Sequence, residues 1–201
     1  MPSPGRPILD ILKKYWGYDA FRPLQQDIIE SILDGRDTLG LMPTGGGKSI
    51  TFQVPTMAID GMALVVTPII SLMKDQVDRL RSLGIKATYL YAGLTRAEVN
   101  RTYEKCLYGN CKFLYVSPER LQSQSFLERL RQMPVSLIVV DEAHCISQWG
   151  YDFRPSFLQI VKVRKLFPSV PVTDDGMSRF PVTFRSCQST CTSLGLVLVT
   201  L

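Results

Sequence analysis

Apolar residues recur at helical spacing near the start of the chain and then gather in short runs separated by amphipathic segments. The apolar positions between Ile8 and Trp16 share one helix face, which predicts a helix that Gly17 ends. A second helix is predicted to begin at Pro23, a favoured first-turn residue, and to end before Gly35. The further apolar runs have the length of buried strands and lie at 38–42, 63–67, 87–91, 113–117, 135–140 and 170–172.

Helical segments are predicted between these runs, near 69–83, 96–108 and 124–132, and Pro55 predicts that the helix after the first strand is short or kinked. Strands that alternate with helices form parallel sheets covered on both faces, and the runs other than 87–91 are nearly all apolar, as such coverage requires. The pattern predicts an α/β fold: a parallel sheet flanked by helices on both faces, with a short N-terminal helical segment. Chemistry is expected at the C-terminal ends of the strands, where Ser49, Thr67, Ser117 and Asp141 lie.

The alternation stops after Val172. Residues 173–201 contain neither lysine nor glutamate and are rich in serine and threonine. We therefore expect one domain over 1–172 and an off-pattern tail over 173–201 that is disordered or read out of the original frame. An edge strand in an unusual fold is the alternative.

A glycine-rich segment, Met42-Pro-Thr-Gly-Gly-Gly-Lys-Ser49, connects the first predicted strand to a helix. Backbone N–H groups of such a loop cradle phosphate oxygens, the lysine reaches the outer phosphates and the hydroxyl ligates magnesium. Met42 stands where the usual pattern begins with glycine, and a glycine turn that merely caps a helix is the alternative. The expected binding residues are Thr44, Gly45, Gly46, Gly47, Lys48 and Ser49.

An acidic strand end complements this loop about ninety residues later, in the run Leu137-Ile-Val-Val-Asp-Glu-Ala-His144. Asp141 is expected to supply a carboxylate to the metal, either directly or in its second sphere, as Ser49 supplies a hydroxyl. Glu142 is placed to orient and deprotonate an attacking water. The two segments together predict a Mg²⁺-dependent nucleoside triphosphatase.

Composition limits the partners. A net charge of +5 and a pI near 9.0 permit a polyanionic partner, although many domains of this charge bind none. The sequence shows neither a leader pattern nor an apolar stretch of membrane-spanning length, so we expect a cytoplasmic protein with no membrane partner. Cysteines lack Cys-x-x-Cys spacing and His144 is the sole histidine, so we expect free thiols and no zinc site.

Aromatic residues and an arginine follow the acidic strand end, at Trp149, Tyr151, Phe153 and Arg154. Aromatic faces stack on unpaired bases and arginine holds phosphate, so this segment could bind a single strand beside the metal site. The alternative is that these rings are packed core residues beneath a loop.

Taken together, the motifs resemble the first motor domain of a RecQ-type DNA helicase, from about residue 8 to residue 172. The matching segments are Gly17-Tyr-x-x-Phe-Arg-Pro-x-Gln25, the glycine loop, Thr67-Pro-Ile-Ile-Ser-Leu-Met-Lys-Asp-Gln76, Ser117-Pro-Glu-Arg120 and Asp141 to Pro155. The last is the most specific, because other helicases share the loop and the acids but not the aromatic-rich segment.

The resemblance implies a RecA-like domain that uses ATP and Mg²⁺, binds single-stranded or partly duplex DNA and contributes to 3′ to 5′ unwinding. It implies that Tyr18, Arg22 and Gln25 recognise adenine and that His144 relays the DNA-bound state. It also implies a DNA track formed by Thr67, Ser71, Ser117 and Arg120, and a coupling loop formed by Trp149, Phe153 and Arg154.

This chain departs from the family at Thr173-Asp-Asp-Gly176, where the family has a Thr-Ala-Thr-like segment. Nothing like a second motor domain follows, and the family's arginine finger belongs to that domain, so we expect a poor ATPase that does not unwind alone. The alternatives are a catalytically inactive nucleotide- and DNA-binding module, and an RNA helicase or other translocase.

Overall fold

The structure is a computed structural model that describes residues 8–40, 42, 46–141 and 159–174. The helices in these ranges are α1 (Ile8–Trp16), α2 (Gln25–Leu33), α3 (Lys48–Ala58), α4 (Ile70–Ser82), α5 (Arg96–Tyr108), α6 (Gln124–Leu130), α7 (Ile160–Leu166) and a 3₁₀ helix at Pro118–Gln122. The strands are β1 (Thr38–Leu39), β2 (Met62–Val66), β3 (Ala87–Leu90), β4 (Phe113–Val116), β5 (Val135–Val140) and β6 (Val172–Asp174).

The strands form one six-stranded sheet in the order β1-β6-β5-β2-β4-β3, and every pair is parallel. Central strand β2 is fully buried along its length, as a strand covered on both faces must be. Strand β3 lies at an edge of the sheet, which explains why its run is less apolar than the others. The predicted parallel α/β architecture is confirmed.

Two hydrophobic clusters cover the two faces of the sheet. Side chains of α5, α6, α7 and the 3₁₀ helix pack on one face, and side chains of α2, α3 and α4 pack on the other. A third cluster joins α1 to α2 and α3 through residues that include Leu12, Ile29 and Val54. The N-terminal helix therefore forms an outer layer over α2 and α3, and none of the helices described is long and apolar enough to span a membrane.

The first helix ends as predicted, with Gly17 at φ 73°, but the predicted start of the second helix is wrong. Helix α2 begins at Gln25 because Leu24 has a left-handed backbone conformation, φ 70° and ψ −20°. A residue in that conformation cannot belong to a right-handed helix. Pro23 and Leu24 therefore form a turn before α2.

Strand β1 is shorter than the predicted run, since its ladder covers Thr38–Leu39, while Met42 beyond it is buried. Helix α3 continues for most of a turn past Pro55 and ends at Ala58. The strand expected at 170–172 begins only at Val172, because Val170 still closes a turn by donating to the Phe167 carbonyl at 3.2 Å.

Strand β6 lies between β1 and β5 and crosses the change in sequence character at Val172. Thr173 pairs with Thr38 on one side and with Val139 on the other. Asp37 holds this strand in place, since its carboxylate accepts a hydrogen bond from the Val172 amide at 2.9 Å and forms an ion pair with Arg164 at 2.8 Å. Strand β6 joins β1 to the rest of the sheet and includes residues up to 174.

Candidate active site

Three polar residues form a row where neighbouring strands end. Strands β5, β2 and β4 end in register at Val140, Val66 and Val116. The next residues, Asp141 and Thr67, continue the ladder, because the Asp141 amide donates to Val66 O at 2.9 Å and the Thr67 amide donates to Val116 O at 3.0 Å. Ser117 completes the row, and the predicted gathering of polar groups at this sheet edge is confirmed.

Each residue of this row carries a buried polar atom that has no hydrogen-bond partner within the described ranges: Thr67 Oγ1, Ser117 Oγ and Asp141 Oδ2. The Asp141 residue is only 5% exposed. Buried polar atoms normally have hydrogen-bond partners. Because these three atoms lack one, they remain able to form a hydrogen bond or to bind a metal ion. A free carboxylate oxygen is what a Mg²⁺ site needs.

The glycine loop leads into the N-terminus of α3, whose first two residues are Lys48 and Ser49. Gly47 caps the helix with φ 80° and ψ 36°, and its carbonyl accepts the Ile50 amide at 3.1 Å. Amide groups of the first helical turn lack partners within a helix, and the helix dipole adds positive charge there. The start of α3 therefore offers backbone amides and the positive end of a helix dipole, and the phosphate-binding role of this loop stays a prediction from the sequence.

Gln25 connects the loop to the segment before α2. Its Nε2 donates to Gly46 O at 3.3 Å and to Gly47 O at 3.0 Å, and its Oε1 accepts the Arg22 amide at 2.8 Å. Gln25 is 4% exposed, so these bonds are shielded from water. Because Nε2 is engaged by loop carbonyls and Oε1 by the Arg22 amide, Gln25 has little remaining capacity to contact the edge of a base.

A cavity of about 300 Å³ joins the two segments that the sequence analysis assigned to adenine and to phosphate. Tyr18, Arg22, Gln25, Gly47 and Ser49 are among the residues that line it. Residues far apart in sequence thus line one cavity.

The sequence analysis did not assign four polar or aromatic residues of this cavity to the nucleotide site: Trp16, Gln53, Gln76 and Arg79. Arg79 looks like an ordinary surface charge of α4 in the sequence, yet it lines the cavity. Gln53 lies one helical turn after Ser49, a spacing that could have revealed it. Gln76 also accepts a hydrogen bond from the Tyr115 hydroxyl at 2.9 Å, which fixes α4 against β4.

The residues expected to line a DNA track differ in accessibility. Ser71 is exposed in the first turn of α4, and Arg120 is half-buried in the 3₁₀ helix, where its Nε has no partner among the described residues. Thr67 and Ser117 are 0% and 2% exposed, because their side chains follow buried strands directly. Their hydroxyls are therefore withdrawn from any ligand on the surface of this conformation.

Several expected site residues lie outside the described residues: Thr44, Gly45, Glu142, His144, Trp149, Phe153 and Arg154. Their roles remain predictions from the sequence.

Relatives with similar sequences are named as DNA helicases. The chain is 44% identical over 164 residues to the ATP-dependent DNA helicase RecQ of Pasteurella multocida, which covers 82% of this chain and 26% of that relative. It is 49% identical over 162 residues to the probable ATP-dependent DNA helicase RecS of Bacillus subtilis, which covers 80% of this chain and 32% of that one. The chain spans about a third or less of the length of these relatives.

Solved structures share the fold at lower identity. The DNA-bound DUF1998 helicase MrfA superposes with a TM-score of 0.78 at 18% identity, covering 99% of this chain and 30% of that one. A hypothetical ATP-dependent RNA helicase from Sulfolobus tokodaii gives a TM-score of 0.66 at 20% identity, covering 90% of this chain and 53% of that one. At these identities the likeness concerns the fold alone.

The family model described as DEAD/DEAH box helicase matches residues 22–175. That range contains the cavity wall at Arg22 and Gln25, the loop before α3, the polar row at the strand ends and the strand β6. This chain belongs to the DEAD/DEAH box helicase family.

Proposed function

We propose that this chain is the nucleotide-binding motor domain of a RecQ-type ATP-dependent DNA helicase that moves 3′ to 5′. The observation that carries the proposal is the cavity that Tyr18, Arg22 and Gln25 line together with Gly47 and Ser49. Identities of 44% and 49% to relatives named RecQ and RecS support the helicase class. We place the end of the domain after Asp174, two residues beyond the boundary at Val172 that the sequence predicts, because Thr173 and Asp174 pair with β1 and β5.

ATP fits the residues that line this cavity. Its volume of about 300 Å³ lies at the lower end of the range typical of small-molecule sites. Tyr18 is 48% exposed and Arg22 lines the same wall, so a base could stack there against a ring or a guanidinium. The loop amides and Lys48 then hold the phosphates at the start of α3.

Mg²⁺ suits the oxygen donors at the start of α3 and at the end of β5. Ser49 in the first turn of α3 and the unpartnered Asp141 Oδ2 at the end of β5 are the residues that would hold it. When bound, the ion would neutralise part of the negative charge of the phosphates. Glu142 orients the attacking water and accepts its proton, while His144 communicates with the DNA-binding segment.

Single-stranded or partly duplex DNA is the proposed partner. Exposed Ser71 and half-buried Arg120 are the described side chains suited to phosphate contacts, whereas Thr67 and Ser117 are buried members of the polar row. Trp149, Phe153 and Arg154 stack on bases and couple binding to hydrolysis. We propose a cytoplasmic protein, associated with the nucleoid if it is bacterial and located in the nucleus if it is eukaryotic.

The 201 residues assayed alone should hydrolyse ATP slowly and should not unwind duplexes. An arginine that completes a phosphoryl-transfer site from another domain accelerates turnover by about a thousandfold or more. In RecQ-type helicases that arginine belongs to the second motor domain.

A steady-state ATPase assay with and without single-stranded DNA tests the proposal. Hydrolysis should rise with DNA, and Glu142→Ala should lower it by about 100-fold or more, because it removes the base. Lys48→Ala should weaken phosphate binding, whereas Lys162→Ala, an exposed lysine of α7, should leave hydrolysis unchanged. Tight binding of ATP and DNA without turnover would favour the inactive binding module instead.

Two comparisons sharpen the assignment. Gln25→Leu should weaken nucleotide binding by roughly tenfold, because two loop carbonyls lose their donor, whereas the exposed neighbour Gln26→Leu should not. Competition between DNA and RNA strands for stimulation of the ATPase separates a DNA motor from an RNA motor. Preferential stimulation by RNA would contradict the proposed substrate.

A further inference from the structure

Two buried cysteines lie close together at the connection between α5 and β4. Cys106 is in the last turn of α5 and is 2% exposed, and Cys111 is two residues before β4 and is 5% exposed. Asn110, with a left-handed φ of 53°, reverses the chain between them. Both cysteines are free thiols, and their side chains are in hydrogen-bonding contact.

The two sulfur atoms have different surroundings. Cys111 Sγ lies 3.3 Å from Phe113 O and 3.7 Å from Lys86 O. The hydrogen bond between the thiols, together with burial, raises the pKa of Cys106, and the same hydrogen bond lowers the pKa of Cys111 against the opposing effect of burial. Arg81 and Lys105 lower the pKa of Cys111 further. Basic side chains therefore lie beside Cys111, a setting that favours its thiolate.

Cys111 is also the cysteine that a reagent can reach. It lines a cavity of about 430 Å³, where Arg81, Lys86 and Lys105 supply positive charge. This cavity lies near the starts of β3 and β4, whereas the candidate active site lies at the opposite ends of the parallel strands. Cys106 does not line the cavity and stands behind Cys111 in the hydrophobic cluster.

We propose that Cys106 and Cys111 form a redox-active dithiol in which Cys111 reacts with a peroxide from the basic cavity and Cys106 then closes an intrachain disulfide. No step of this chemistry uses the nucleotide site, so it stands apart from the helicase proposal. It gives the domain a second reactive site with a peroxide as its substrate.

The reaction balances with hydrogen peroxide as oxidant. The Cys111 sulfur attacks one peroxide oxygen, the O–O bond breaks, and the departing hydroxide leaves as water with the proton that Cys111 lost. The Cys106 sulfur then attacks the Cys111 sulfenic acid, the S–O bond breaks, and the hydroxyl leaves as a second water with the Cys106 proton. The two thiols lose two electrons in total, and the peroxide gains them.

Peptide mapping after peroxide treatment tests the proposal on the full 201-residue chain. The reduced protein is exposed to hydrogen peroxide, quenched with an alkylating agent and digested. The first oxidised product should be a Cys106–Cys111 disulfide, reversed by a dithiol reductant. The same product should form when Cys145, Cys187 and Cys191 are all replaced by serine.

Single variants separate the two roles. In Cys106→Ser, Cys111 should accumulate as a sulfenic acid that dimedone traps. In Cys111→Ser, oxidation of Cys106 should be slower by about tenfold or more, because the remaining thiol is buried and protonated. Lys105→Gln should slow disulfide formation and Lys105→Arg should restore it.

The wild-type map needs no variant to fold and can overturn the proposal alone. Oxidation of Cys111 to sulfinic acid with no link to Cys106, or oxidation of the other cysteines before this pair, would contradict it. Equal peroxide sensitivity of Cys106 in the wild type and in Cys111→Ser would also contradict it, because Cys111 would then have no leading role.

Discussion

Gly47 is the residue whose conformation matters most to the candidate active site. Its φ is 80°, and a Cβ on it would lie 2.6 Å from Gln25 Nε2. Gly47→Ala should therefore both strain the backbone and displace the glutamine that holds the loop. We expect a loss of about 1–3 kcal/mol in stability and a larger proportional loss in nucleotide affinity, measured by urea unfolding and by nucleotide titration.

Gly84 provides the matched control for that variant. Its φ is 75°, nearly the same, but nothing lies within 4 Å of a Cβ built on it. Gly84→Ala should cost about 1 kcal/mol from backbone strain alone and leave nucleotide affinity unchanged. Equal effects of the two variants on nucleotide binding would contradict a specific role for the Gly47–Gln25 contact.

Leu24 carries backbone strain directly beside the same site. It has φ 70°, a conformation that costs a non-glycine residue about 1–2 kcal/mol, and its side chain is 41% exposed. Leu24→Gly should therefore stabilise the domain by roughly 0.5–1 kcal/mol in urea unfolding, after the entropy cost of glycine is deducted. Leu9, 43% exposed but helical, is the control, and Leu9→Gly should destabilise it.

At the scale of elements, Lys112 fixes the C-terminus of α3. Its Nζ donates to the carbonyls of Thr56, Ile59 and Gly61 at 3.2, 2.6 and 3.2 Å. Helix ends leave carbonyls without partners, and an ammonium group there also interacts favourably with the helix dipole. This single side chain ties the last turn of α3 to the start of β4.

Lys112→Met tests this contact by keeping the length of the side chain while removing its donors. We expect a loss of about 1–3 kcal/mol in urea unfolding, since partly buried carbonyls are left unpaired. Lys162→Met, at an exposed position of α7, should change stability by less than about 0.5 kcal/mol. Similar values for both variants would show that the three carbonyls do not depend on Lys112.

Elements whose signals are local were predictable from the sequence. The strands near 63–67, 113–117 and 135–140 were found because both faces of each are buried, which requires continuous apolar runs. The start of α2 was missed because nothing about a leucine in the sequence indicates that the backbone of Leu24 is left-handed. Strand β6 was placed too early because polar Thr173 and Asp174 belong to it.

The candidate site was predictable to the extent that its residues belong to contiguous motifs. The loop before α3 and the carboxylate after β5 could be identified from the sequence because each directly follows a predicted strand. Arg79 and Trp16 could not, because their place in the cavity depends on how α4 and α1 pack beside α2 and α3. The hydrogen bonds of Gln25 were likewise invisible, since they join positions 21 and 22 residues apart.

On the scale of the whole molecule, one sheet organises two chemically different regions. The C-terminal ends of its strands carry the polar row and the nucleotide cavity, and the region near the starts of β3 and β4 carries the dithiol and its basic cavity. Strand β6 stabilises the first region indirectly, because it lies between β1, which precedes the glycine loop, and β5, which presents Asp141. The geometry of the candidate active site therefore depends on how well β6 is held.

Truncation tests where the domain ends. A chain ending at residue 172 loses Thr173 and Asp174, which pair with both β1 and β5, whereas a chain ending at 175 keeps them. With each ladder hydrogen bond worth about 1 kcal/mol, we expect the 1–172 chain to be less stable than the 1–175 chain by roughly 2–4 kcal/mol in urea unfolding. The weaker hold on β1 and β5 should lower nucleotide affinity in the same chain. The 1–175 chain should be as stable as the 1–201 chain. If the 1–172 chain were as stable as the 1–175 chain, the domain would end at Val172 and β6 would contribute little.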